Sequence, residues 1–194
     1  GTPSIASVFQ ELGRRGMRFN GTTSFDRTNY FETFSADEAN LEWALRMEAE
    51  RKTQSAFAKA ALDTEMSVVR NEFESGENNP SRVLLQKLFA AMYQWHNYGK
   101  STIGARADIE NVDIPRLQAF YRAYYQPDNA TLVVSGAFDI AQTLAWVQDF
   151  FGRIPAPQRK LPALYTLDPA QDGERSYTVR RAGGVPILLA SYHA

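Results

Sequence analysis

The chain has 194 residues, 21 Lys and Arg against 22 Asp and Glu, a formal net charge of −1, no cysteine and two histidines. The length suits one large domain or two small ones with a real core, and 44% hydrophobic against 22% charged residues excludes a disordered chain. Near-neutral charge argues against a nucleic-acid binder, no run approaches the roughly 18 apolar residues of a membrane-spanning helix, and zero cysteines exclude disulfides, thiolate metal sites and thiol nucleophiles. Two histidines also make a zinc site built wholly within this chain a poor expectation.

The chain opens on Gly1-Thr2-Pro3 without a Met, and closes on the strand-like run Val185–Ala190 followed by Ser191-Tyr192-His193-Ala194. It reads as a piece of a longer polypeptide. Residues 4–14 carry the pattern of a helix end, stopped near Gly13 and Gly16. Met17–Thr22 and Arg27–Phe34, rich in Thr, Phe and Tyr with a polar turn at Ser24–Asp26, predict a hairpin. Asn20-Gly21 offers a bulge or a second turn within it. Ser35 with Glu38 forms a capping-box pattern for a helix to about Phe57.

A second long helix is predicted over 58–75. Asn79 as N-cap and Pro80 at the first position start the next, which stops before His96. Asp113 and Pro115 open a helix to Tyr125, and Gln126–Asn129 turns into a strand over Ala130–Ser135. A helix follows over 139–151, with Ala145, Trp146, Phe150 and Phe151 on its apolar side. Four prolines make 154–175 an extended connector, and strands over 176–181 and 186–192 finish the chain. Clustered helices and strands, with hairpins in place of strict alternation, indicate an α+β fold. Trp43, Trp95 and Trp146 are expected in the core.

On the predicted helix 58–75, at about 100° per residue, Glu72 falls within about 20° of Glu65, and Ala61, Leu62, Val68 and Val69 lie within about 60° on either side. Two carboxylates thus share an apolar stripe. Burying a carboxylate costs several kcal/mol unless it is paired, hydrogen-bonded or metal-bound. Pattern alone leaves open whether the two acids meet arginines elsewhere, sit on a shallower stripe than drawn, or serve a site.

Glu65-Met66-Ser67-Val68-Val69-Arg70-Asn71-Glu72 resembles the second signature of the pitrilysin/insulinase family of zinc metallopeptidases, the inverzincins. The first signature there is His-x-x-Glu-His with a Gly-Thr tail. Gly1-Thr2 matches the tail, which puts the histidines just upstream of residue 1. Further segments agree in order. Gly16–Ser24 followed by Thr28-Asn29-Tyr30 resembles the family's Gly-x-x-Asn-Ala-x-Thr stretch, with Gly21 where Ala is usual. Tyr98-Gly99 with Gly104 is similar to the loop before the later helix. Tyr125-Gln126-Pro127-Asp128-Asn129, then Val134-Ser135-Gly136, resembles the Tyr-x-Pro-x-Asn and Val-x-Gly stretch.

The resemblance implies a largely antiparallel sheet with several long helices packed against it. Residues 1–194 would form most of one processing-peptidase-like domain, truncated at both ends, with 155–175 as a connector inside it. It implies Zn2+ in the parent protein, with Glu72 as third ligand beside two upstream histidines, Glu65 orienting a ligand or a water, and the upstream Glu removing a proton from the zinc-bound water. It implies a peptide substrate added as a strand at Phe19, Asn20, Gly21 and Thr22, with extra room at Gly21. A second homologous domain or subunit would close a chamber. The fragment itself should neither cleave peptides nor bind zinc tightly. The family's bacterial members suggest the periplasm, with the cytoplasm as the alternative. A non-catalytic, peptide-binding partner subunit is the alternative function. His96, at a helix end, and His193 carry no metal spacing to Glu72.

Overall fold

The computed structural model describes residues 5–54 and 59–193. In chain order its elements are α1 (Ile5–Arg14), β1 (Arg18–Thr23), β2 (Thr28–Thr33), α2 (Glu38–Gln54), α3 (Lys59–Glu77), α4 (Pro80–Met92), α5 (Arg106–Asn111), α6 (Ile114–Tyr124) and α7 (Ile140–Phe150), with short 3-10 turns at Asn97–Gly99 and Pro127–Asn129. The chain divides into two compact units, Gly1–Phe57 with Pro115–Leu161, and Ala58–Ile114 with Pro162–Ala194. Helices with an antiparallel hairpin make the fold α+β.

In the first unit, α1 ends in a Schellman turn. Gly16 takes φ +66°, the Met17 N–H donates to the Leu12 carbonyl and the Gly16 N–H to the Gly13 carbonyl, each at 3.0 Å. The hydrophobic contact that belongs to this motif is the core itself. Leu12 and Met17 are buried with Ala44, and Val8, Phe34, Trp43 and Met47 pack around them. Arg15 lies over the Trp43 ring and donates to Asn40. The N-cap of α2 is Asp37, whose Oδ1 accepts the Asn40 N–H at 2.8 Å, and the Ser35–Glu38 box expected from sequence does not form. Glu38 stands instead in the first helical turn, where the dipole favours a carboxylate. Asp139 caps α7 in the same way through the Gln142 N–H. Trp146 is half-buried as expected, but Ala145 is exposed and Thr143 takes the buried position.

β1 and β2 pair in unbroken register from Arg18↔Thr33 to Thr23↔Thr28. No bulge interrupts them at Asn20-Gly21, because those residues face Phe31 and Tyr30 directly. Residues alternate between faces along a strand, so Phe19, Gly21, Tyr30 and Glu32 share one face. Phe19 stacks on Phe9 of α1, ring centroids 5.1 Å apart. The Tyr30 hydroxyl meets that of Tyr125 at 2.8 Å, and the Arg51 guanidinium lies 3.9 Å from the Tyr30 ring centroid. Arg51 is ion-paired with Glu48. The Tyr121 hydroxyl donates to the carbonyls of Arg51 and Lys52, and its ring stacks on Tyr125. Burial, then the neighbouring Glu48 carboxylate, push the Glu32 carboxyl up to about 7, although Arg51 pulls the other way. Burial and the hydrogen bond with Tyr30 hold the Tyr125 phenol well above its usual range.

In the second unit, α3 packs on α4 and α5. Asn79 caps α4 as predicted, accepting the Arg82 N–H at 3.0 Å with Pro80 in the first turn. The six-residue α5 was not foreseen. It buries Ile109 and ties Arg106 to Glu74 of α3 at 2.5 Å. Residues 162–193 form an extended arm anchored on the end of α4. Asp168 Oδ1 accepts the N–H groups of Trp95 (2.6 Å) and His96 (3.1 Å), while Arg175 donates to the Ala91 and Met92 carbonyls. Burial raises the Asp168 carboxyl, but the backbone donors of Trp95, His96 and Gln94 outweigh it and leave the group below its usual value. Trp95 is 65% exposed and outside the core, since it lies past the end of α4 with its backbone N–H tied to Asp168.

The three later strands expected from sequence are extended but unpaired. Among the described residues the only ladder is β1–β2, and Val133 (78%) and Leu188 (92%) are largely exposed. A strand pattern shows that a segment fits a pleated, half-buried surface, and among the described residues no neighbouring strand supplies one to these segments. Residues 132–136 instead line a cleft of about 650 Å³ with α2 and α7.

Gly16→Ala, which meets no side chain or backbone but forces an L-residue to positive φ, should cost about 1–2 kcal/mol in urea unfolding, and Gly16→Asn clearly less. Because the folded pKa of Glu32 lies above its unfolded value, the fold holds the extra proton. Its stabilising effect is complete below about pH 4.5 and is lost as pH rises through about 7. Thermal stability should therefore fall from pH 5 to pH 8, and Glu32→Gln should flatten that fall.

Candidate functional site

Glu65 and Glu72 both project from α3, and both are exposed. The half-buried apolar side chains described on this helix are Leu62, Met66, Val69 and Phe73. At about 100° per residue their stripe centres some 70–90° away from the two acids. The glutamates therefore stand at the rim of the packed face and not in its middle. Val68, 47% exposed, lies beside them on the uncovered side. Among the described residues neither carboxylate has an ion-pair or hydrogen-bond partner, so the arginine reading of the stripe finds no support there. Glu72 lines a shallow depression with Val68, Asn71, Ser75 and Arg82. Both carboxylates share one surface of one helix, and Glu74, off that surface, is the acid engaged by Arg106.

One carboxylate does not make a zinc site. Among the described residues no group of three His, Asp or Glu side chains could hold a metal. His96 Nδ1 accepts the Tyr98 N–H, and its ring packs against Tyr93 and Tyr98. His193 packs edge-on against Tyr93 with Nε2 3.3 Å from the Met92 carbonyl. Both histidines are occupied in structural contacts at the end of α4. The residues described here thus do not fit a zinc ion by themselves.

Phe19, Asn20, Gly21 and Thr22 lie together on β1, all exposed. The Ser24 N–H donates to the Arg27 carbonyl at 2.8 Å. That makes 24–27 a hydrogen-bonded pair, and alternation along an antiparallel ladder makes 22–29 and 20–31 hydrogen-bonded pairs too. The backbone groups of Phe19, Gly21 and Thr23 consequently point away from β2, to the edge that is unpaired among the described residues. The Gly21 N–H on that edge is held by the Asn20 side-chain oxygen at 2.8 Å. Asn20 thus shields an edge donor that would otherwise invite strand pairing.

The room expected at Gly21 is not empty. A Cβ there would stand 3.3 Å from Cδ1 and 3.4 Å from Cε1 of Tyr30, so the Tyr30 ring already fills the space of the missing side chain. Tyr30 and Tyr125 lie in the motifs named above, but sequence reasoning gives neither them nor Arg51 a role at the edge. For Tyr30 a signal existed, because the two-residue turn Phe25-Asp26 sets the register that places it opposite Gly21. Nothing in the sequence marks the contact that Arg51 of α2 and Tyr125, just past α6, make with the hairpin.

Residues 1–106 match the family model described as Insulinase (Peptidase family M16), and residues 111–190 match the one described as Peptidase M16 inactive domain. Zinc protease PqqE of Helicobacter pylori is 29% identical over 92% of this chain and 40% of its own length. Probable zinc protease PqqL of Escherichia coli is 26% identical over 78% of this chain and 16% of its own. The crystal structure of a protease from Helicobacter pylori superposes with a TM-score of 0.83 at 28% identity, covering 89% of this chain and 42% of that one. The periplasmic protease PqqL from Escherichia coli shares the fold, with a TM-score of 0.77 at 22% identity over 86% of this chain and 19% of that one. The chain spans about two fifths or less of the curated relatives named here. No described helix is long and apolar enough to cross a membrane. With more than half its residues matched by the insulinase model, on the fold those relatives share, this chain belongs to peptidase family M16.

Proposed function

We propose that this chain is most of one domain of a zinc-dependent endopeptidase acting on peptides or small unfolded proteins. Glu72 would be its contribution to the metal site, and the β1 edge its contribution to substrate binding. The observation that carries the reading is Glu72 itself: an exposed carboxylate without a partner among the described residues, beside exposed Val68, on a helix inside the segment matched by the insulinase model. A carboxylate in that position is free to bind a cation, whereas a structural ion pair would have consumed it. The remaining ligands would be two histidines of a preceding His-x-x-Glu-His segment, and the chain alone would be inactive. Glu65, on the same surface, would orient a ligand or a water without touching the metal.

The substrate would be an extended peptide paired to β1 through the outward backbone groups of Phe19, Gly21 and Thr23, with Asn20 yielding the Gly21 N–H on binding. Backbone pairing gives affinity for many sequences. A second homologous domain or subunit would complete a chamber, and the periplasmic description of the Escherichia coli relative supports the same compartment here, with the cytoplasm as the alternative. The match of residues 111–190 to a domain described as inactive gives weight to a second reading, a non-catalytic peptide-binding partner.

The deciding measurement is zinc content of the protein extended upstream of Gly1, beside its Glu72→Gln variant. About one zinc per chain, with affinity falling at least tenfold in the variant, is expected of a lost carboxylate ligand. No zinc in either protein leaves the non-catalytic partner. Zinc retained equally by both removes Glu72 from the site.

A further inference from the structure

The geometry points to Tyr30 as the residue that selects side chains at the β1 edge: its ring, laid across Gly21, forms the surface on which one residue of an added strand rests. The inference depends on the strand-addition reading above and assigns that site a side-chain preference.

A strand added at the free edge of β1 places one residue opposite Gly21, with its side chain on the same face as Tyr30. Ordinarily the side chain at position 21 would stand between the two. Gly21 has none, and the Tyr30 ring comes to 3.3 Å of where a Cβ would be. A peptide side chain long enough to cross a bare Cα therefore meets an aromatic ring. Three contacts hold that ring in place: the Tyr125 hydroxyl at 2.8 Å, the Arg51 guanidinium 3.9 Å from the centroid, and the ladder pairing of β2. The ring is still 43% exposed, which leaves surface for a ligand.

The class of side chain follows from these neighbours. Leu, Met, Phe and Tyr reach the ring and bury apolar area against it, whereas Gly, Ala and Ser stop short. Lys and Arg gain less than they would on an isolated ring, because Arg51 already occupies a cation–π position on Tyr30 and repels a second charge. The edge should thus be tolerant along most of its length and selective for a bulky apolar residue at one position.

The test uses fluorescein-labelled extended peptides, varied one position at a time, binding to the full-length protein with metal chelated so that nothing is cleaved. Dissociation constants are read by anisotropy. At one position Phe or Leu should bind about tenfold tighter than Ala, the scale of a few buried methylenes. Tyr30→Ala should erase that ratio and leave peptides with Ala there within about twofold. Tyr30→Phe should keep the ratio, and Gly21→Ala, which sets a methyl against the ring at 3.3 Å and between it and the peptide, should shift the preference toward small residues. Uniform weakening of every peptide by Tyr30→Ala, or a ratio unchanged in Tyr30→Ala, overturns the assignment. Backbone N-methylation of the peptides separates the two levels. If it weakens binding while the ratio ignores Tyr30, the assignment alone falls; if it has no effect, strand addition falls with it.

Discussion

A two-stranded hairpin is marginal in water unless one face is packed, and here that face is bolted to helices by a cluster around Tyr30 and Arg51. Arg51 lies over the Tyr30 ring and pairs with Glu48, Tyr125 meets the Tyr30 hydroxyl, and Tyr121 closes on the backbone of Arg51 and Lys52. Strand β2 is fixed by these bonds, β1 is fixed by β2, and the outward edge of β1 is thereby held open. Every functional idea about that edge presupposes the cluster behind it. Beside the cluster lies Glu32, whose carboxyl burial and Glu48 push up to about 7.

The two candidate surfaces differ in kind. The proposed β1 edge draws its outward donors and acceptors and its supporting ring from the described residues alone. The Glu72 surface is incomplete as a metal site: one carboxylate stands on the rim of α3, and both histidines of the chain are engaged around Tyr93. Both surfaces lie in the segment matched by the insulinase model. Family membership does not change the chemistry of either one, because function resides in placed groups and not in a fold.

Much was legible without coordinates. The Asn79-Pro80 helix start, the hairpin, the stop at Gly16 and the order of the helices other than α5 are short-range signals, each set by a turn residue or a cap that acts within a few positions. Errors came where two local signals compete. Ser35 and Asp37 both offer a capping oxygen, and Asp37 wins because its Oδ1 reaches the N–H three residues on. Asn20-Gly21 could turn or pair, and the continuous register of its neighbours makes it pair. The strands over 130–135, 176–181 and 186–192 were read from composition that describes a surface in want of a neighbour, and composition cannot supply the neighbour.

The α+β class follows from local propensities, and the resemblance of the chain's motifs points to the family and to Glu72 and the 19–22 strand as the places to seek chemistry. Both are readable from the chain taken in order. Tertiary structure alone decided that the two glutamates stand at the rim of the packed stripe, because the face a helix buries depends on which elements lie against it. It also decided that Tyr30 fills the space at Gly21, because a cross-strand neighbour becomes visible only when a turn has set the register and distant helices have pinned the ring.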